Sequence, residues 1–73
     1  MREIYVIDKE MGDVLEIVKY NPKKEVAYTL ALEKVIDFNV KNNYRSVGFK
    51  KRYNPFTKAK DIETIYVEKL AGA

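Results

Sequence analysis

The chain has 73 residues, a formal net charge of +3, and neither cysteine nor histidine. That length makes one domain, residues 1–73, and the composition excludes disulfides, thiolate metal sites and the commonest general base and metal ligand. No stretch approaches the roughly 20 apolar residues of a membrane span, and the apolar run Ile4–Ile7 is too closely flanked by charge for a signal peptide, so a cytoplasmic protein is expected.

Residues 2–8, rich in β-branched and aromatic types, predict a strand, and residues 14–20 predict a second. Between them Asp8 opens a turn and Gly12 stands late in it, which suits a type I turn closed by a residue with positive φ and therefore an antiparallel hairpin. Asn21-Pro22 then offers a helix start, with Asn as N-cap and Pro at the first helical position. The helix is predicted to run to about Val40 and to end near Asn42-Asn43, residues that tolerate left-handed geometry. Tyr28, Ala31, Leu32, Val35, Ile36 and Phe38 fall on one side of it, with Glu33 and Asp37 opposite. Val26 and Leu30 lie on the polar side.

Tyr44–Tyr53 reads as the third strand, with Arg45, Val47, Phe49 and Lys51 alternating on one face. Ile62–Leu70 reads as the fourth, and Asn54–Asp61 is too polar a connection to be core. The expected architecture is α+β: an antiparallel four-stranded sheet in ββαββ order with one helix packed on one face. The other face would then carry several of Tyr5, Ile7, Tyr20, Tyr44, Tyr53 and Tyr66, depending on register. Tyrosines are enriched where proteins meet partners, and they also cover ordinary half-exposed sheets. A chain this short buries only about 60% of its unfolded surface, so self-association is a natural source of stability. A homodimer is expected.

The functional signal is charge segregation. From Lys41 to Lys60 the chain carries Lys41, Arg45, Lys50, Lys51, Arg52, Lys58 and Lys60 and no acidic residue, interleaved with Tyr44, Phe49, Tyr53 and Phe56. The formal +3 thus combines +7 in this stretch with −4 elsewhere, which creates a positive potential over one part of the surface. Basic side chains on a two-stranded ribbon can track a phosphate backbone while aromatic rings stack on bases. Arg45, Lys50, Lys51, Arg52, Lys58 and Lys60 are the candidate phosphate contacts, and Tyr44, Tyr53 and Phe56 the candidate stacking groups. The competing reading is a solvated edge hairpin whose lysines keep it from pairing with other sheets. Phe56 admits two roles, an exposed wedge or a side chain folded back over the end of the core.

Other chemistry is poorly supported. Asp8–Asp13 lacks the ligand ladder of a calcium loop. Glu33 and Asp37 lie one helical turn apart, but a solvated helix face with Lys34 and Lys41 explains them. Ser46 is the sole serine and has no evident base partner, and Gly48 stands alone, so neither a nucleophile nor a glycine-rich phosphate loop is indicated. No enzyme activity, metal or cofactor is implied. The expectation is a small binding protein that meets nucleic acid, or another phosphate-bearing partner, through its C-terminal hairpin. The alternative is a small regulatory or inhibitory protein that engages a cellular protein through an exposed strand edge or the same hairpin, as in β-strand addition. A domain without catalytic equipment suits an accessory factor of a virus or mobile element.

Overall fold

A computed structural model describes residues 1–54 and 59–71, with side chains over 1–50 and 63–71. The elements run β1 (Arg2–Asp8), β2 (Val14–Tyr20), α1 (Ala27–Asn42), β3 (Tyr44–Asn54) and β4 (Ala59–Lys69). β1 and β2 form the antiparallel hairpin that their sequence predicts. Asp8 Oδ1 accepts from the amides of Glu10 and Met11 at 2.9 and 3.2 Å, and the Gly12 amide donates to the Asp8 carbonyl at 2.8 Å. Gly12 has φ +74°, the left-handed conformation that glycine adopts at no steric cost.

The helix begins later than Asn21-Pro22 suggests. Asn21 instead caps a preceding turn: its Oδ1 accepts from the Lys23 amide at 3.0 Å, and its carbonyl from the Lys24 amide at 3.1 Å. The helical N-cap is Val26, which supplies no side-chain acceptor. Electrostatics favours the delay. A start at Pro22 would place Lys23 and Lys24 at the positive end of the helix dipole. The C-terminus behaves as the paired asparagines imply, since Asn43 is left-handed (φ 59°, ψ 47°) and its amide donates to the Asn39 carbonyl. Asn43→Val is expected to cost about 1–2 kcal/mol because a β-branched residue resists this conformation. Asn43→Gly should cost nothing measurable, and chemical denaturation of the two variants checks both.

The sheet is mixed, which corrects the all-antiparallel expectation. Its order is β2-β1-β4-β3, with β1 and β4 parallel and each hairpin antiparallel. One helix carries the chain from one edge strand to the other, and β2 and β3 consequently run in the same sense. Joining the hairpins through β1 and β3 would have kept every pair antiparallel. The structure joins them through β1 and β4. β3 carries Arg45, Lys50, Lys51 and Arg52, which suit a free edge. Ile62–Val67 of β4 matches the apolar Ile4–Ile7 of β1, so these two take the centre.

Against the helix-facing side of the sheet, Ile4, Val6, Val18, Tyr20, Ile65 and Val67 bury together with Ala31 and Val35. Leu32 and Phe38 are only partly buried against this cluster, and Ile36 is exposed. Asn39 takes the next buried helical position and donates from Nδ2 to Ser46 Oγ at 3.0 Å. β3 does not alternate simply either. A register shift between Ser46 and Gly48 sets Arg45 opposite Glu68 but Phe49 opposite Ile65, so these two side chains lie on opposite faces. The bulge falls where Gly48 lies against the Tyr66 ring, 3.6 Å from the position a Cβ would occupy.

Candidate functional site

β3 forms one outer edge of the sheet with a single strand neighbour, and Arg45 and Lys50 are exposed along it. Lys50 stands opposite Thr64, Lys51 opposite Glu63 and Arg52 opposite Ile62. Pairing of β1 with β4 starts at Glu3↔Ile62, whereas β3–β4 pairing continues to Asn54↔Ala59. Past Ile62 the hairpin therefore has no β1 neighbour and continues as a two-stranded ribbon. Phe56 and Lys58 lie outside the described residues, as do the side chains of Lys51, Arg52, Tyr53 and Lys60.

Two of the sequence candidates are placed apart from that end. The Arg45 guanidinium is engaged by the Glu68 carboxylate, Nε donating to Oε1 at 2.7 Å. Tyr44 stacks on Phe38 with ring centroids 5.8 Å apart and planes at 20°, and Lys69 Nζ lies 4.8 Å from its ring centre. Tyr44 thus seals the C-terminal end of the helix. It is nine residues along the strand from Tyr53, roughly 30 Å at about 3.3 Å per residue. The sequence candidates that stay contiguous along the strand are Lys50, Lys51 and Arg52. Phe49 adjoins them in sequence and is 52% exposed, although the register shift sets it opposite Ile65 on the helix-facing side of the sheet.

The sheet face away from the helix carries Tyr5, Ile7, Val14, Ile17 and Tyr66, with Glu3 and Lys19 at one end and Arg45 and Glu68 at the other. Val14 and Ile17 are substantially exposed. Tyr20 and Tyr44 are absent from this face because register turns Tyr20 into the core and packing holds Tyr44 on Phe38. A groove of about 500 Å³ follows the opposite edge, between β2 at Glu16–Lys19 and the helix at Lys34, Asp37, Phe38 and Lys41.

A second group of polar side chains was not legible as a cluster in the sequence. Glu63 is buried on the helix side of β4, and Tyr20 Oη donates to its Oε1 at 3.4 Å. Tyr20 and Tyr28 pack with centroids 5.5 Å apart at 58°. Burial raises the hydroxyl pKa of both above the ordinary value near 10, and the nearby Glu63 charge raises them further; Arg2 opposes this at Tyr20. The one available signal is an acidic residue in step with Ile65 and Val67.

Since each phenol holds its proton more tightly when folded, the associated stability is fully present below pH 10. It is lost as pH rises through the raised values. Alkaline denaturation should therefore be shallower in a Tyr20→Phe, Tyr28→Phe double variant. An equal loss of unfolding free energy above pH 10 in the variant and the unsubstituted protein would contradict this.

Among the described residues no three acidic or other metal-binding side chains converge, and no helix is long and apolar enough to cross a membrane. Compared with family models, curated proteins and solved structures, the chain matches none.

Proposed function

We propose that this protein is a non-enzymatic binding module that contacts nucleic acid through the distal half of the β3–β4 hairpin. The observation that supports the reading is the position of Lys50, Lys51 and Arg52: consecutive, uncompensated by sequence neighbours, and carried by a free edge strand that continues as a ribbon. Folding alone gives no reason to gather like charges there, because they repel one another. Phosphates relieve that repulsion, and binding releases counterions. Phe49 supplies an exposed ring beside the cluster, while Tyr53 and Phe56 are the stacking groups its sequence offers toward the tip. Arg45, held by Glu68, and Tyr44, held by Phe38, contribute to the fold more than to the interface. Affinity capture from cell lysate with and without nuclease tests the proposal. Partner recovery that survives nuclease and depends little on salt sinks it.

The β2 edge favours a second reading. Val14–Tyr20 has one neighbour, its outer side is open, and the 500 Å³ groove beside it joins the helix surface. A partner protein could add a strand there and fill the groove with its side chains. Self-association is a related proposal. The uncovered tyrosine face, together with Val26, Leu30, Ile36 and Val40 exposed on the helix, leaves more apolar surface than a small monomer normally shows. Sedimentation equilibrium at micromolar concentration is expected to give a dimer mass, and a clean monomer refutes the dimer.

A further inference from the structure

A buried carboxylate is stable only when its charge is met. Glu63 is 4% exposed, yet among the described residues its Oε2 has no hydrogen-bond partner, while its Oε1 accepts a long bond from Tyr20 and the Tyr28 hydroxyl also lies close to the carboxylate. An uncompensated buried charge is strongly unfavourable, and of the two unpartnered buried side-chain atoms among the described residues, Asn39 Oδ1 and Glu63 Oε2, only the latter belongs to an ionisable group. The surroundings show where compensation can enter. Glu63, Tyr20, Tyr28, Arg2 and Pro22 line a shallow cavity of about 210 Å³ between the start of the helix and the sheet. The volume is that of one small organic group.

We propose that this cavity is a binding site for a single organic cation, a primary ammonium or guanidinium group, with Glu63 as its counter-ion and Tyr20 and Tyr28 as its aromatic wall. The donor inventory favours this class. The orphan Oε2 is an acceptor, so a ligand must bring N–H donors, and a charged donor makes the stronger bond. Two adjacent tyrosine rings present π faces that attract a cation electrostatically, the more so where water is displaced. An anion is disfavoured by the Glu63 charge. A neutral apolar group leaves Oε2 as unpaired as before. Arg2 lines the cavity without reaching the carboxylate, for the Arg45–Glu68 contact is the one ion pair among the described residues. Its positive charge, on the side of the Tyr20 hydroxyl, disfavours a ligand that carries a second positive charge.

The site is separate from the basic edge. It is walled by the first turn of the helix and by β1, β2 and β4, and it selects the opposite ligand charge. One register neighbour links the two, since Lys51 pairs across from Glu63 on β3.

The test is a titration of the whole protein with n-butylammonium and methylguanidinium, read from the ring resonances of Tyr20 and Tyr28. Neutral n-butanol and acetate serve as controls. Saturable shifts with the cations and none with the controls are expected. Glu63→Gln, nearly isosteric, should weaken cation binding at least tenfold, about 1.4 kcal/mol. Should that variant fail to fold, Tyr28→Leu keeps the apolar wall, removes the π face and hydroxyl, and should weaken binding severalfold. Blocked tripeptides centred on Lys or Arg separate the sources. Tighter binding of a peptide than of the free cation identifies a protein side chain as the ligand, and equal binding identifies a free amine. Absence of saturable shifts, whether because Lys51 or Arg2 already fills the cavity, overturns the proposal. So does cation binding that is unchanged in Glu63→Gln.

Discussion

Ile4→Ala is expected to remove a large fraction of the chain's folding stability at room temperature. Ile4 is fully buried at the centre of the helix-facing core, on a strand with neighbours on both sides. Truncating such a residue costs about 2–5 kcal/mol through lost transfer free energy and the cavity left behind. A domain of this size has a total stability of only about 4–11 kcal/mol at ~0.05–0.15 kcal/mol per residue. The loss therefore consumes a large fraction of the margin, and there is little second core to absorb it. Leu32→Ala, on a partly buried helical position, should cost distinctly less. Urea denaturation ranks the two. An Ile4→Ala loss below 1 kcal/mol would show that β1 is not central.

Replacing Lys50, Lys51 and Arg52 together by glutamine is expected to abolish partner binding while the fold persists. Lys50 is exposed on the free edge, and all three residues occupy the outer strand; Lys51, opposite the buried Glu63, is the one of the three with an acidic register neighbour. If each contacts one phosphate, the logarithmic salt dependence should flatten by about three units, one for each lost contact. Affinity at physiological salt should fall at least about a hundredfold for three charge-assisted contacts. Arg45→Gln should have a much smaller effect, because Glu68 already holds that guanidinium. Thermal unfolding of the triple variant verifies that the fold is retained. Wild-type affinity in that variant, at low and physiological salt alike, would remove the hairpin from the interface.

Where local chemistry decides structure, the residues were sufficient. Asp8 with Gly12 specified the first hairpin, and Asn43 the helix end. The errors came where non-local terms compete with local ones. Asn21-Pro22 has the same signature whether it opens a helix or a turn, and the two lysines that follow tip the balance to the turn. Parallel or antiparallel docking of the hairpins depends on which strand tolerates burial on both sides. The density of lysine and arginine on β3 held that information, but alternation within one strand does not express it. At Gly48 the bulge turns Phe49 to the helix-facing side, opposite Ile65, where it stays half exposed. The basic edge was legible because charge segregation survives in one dimension. The Glu63 cavity was not, since it joins residues 2, 20, 28 and 63, which only the assembled sheet and helix bring together.

The central parallel pair also governs when the chain can fold. Val6 and Ile65 are register neighbours although they lie 59 positions apart in the chain, and each β1–β4 pairing closes a loop of the same length. Closing such loops comes before any reward from the contacts they permit, and rates fall as mean contact separation grows. During synthesis the β1–β2 hairpin and the helix emerge with one side of β1 unpaired until β4 has left the ribosome. Until β4 emerges, the Ile-Tyr-Val-Ile run of β1 therefore lacks the strand that pairs with its second side.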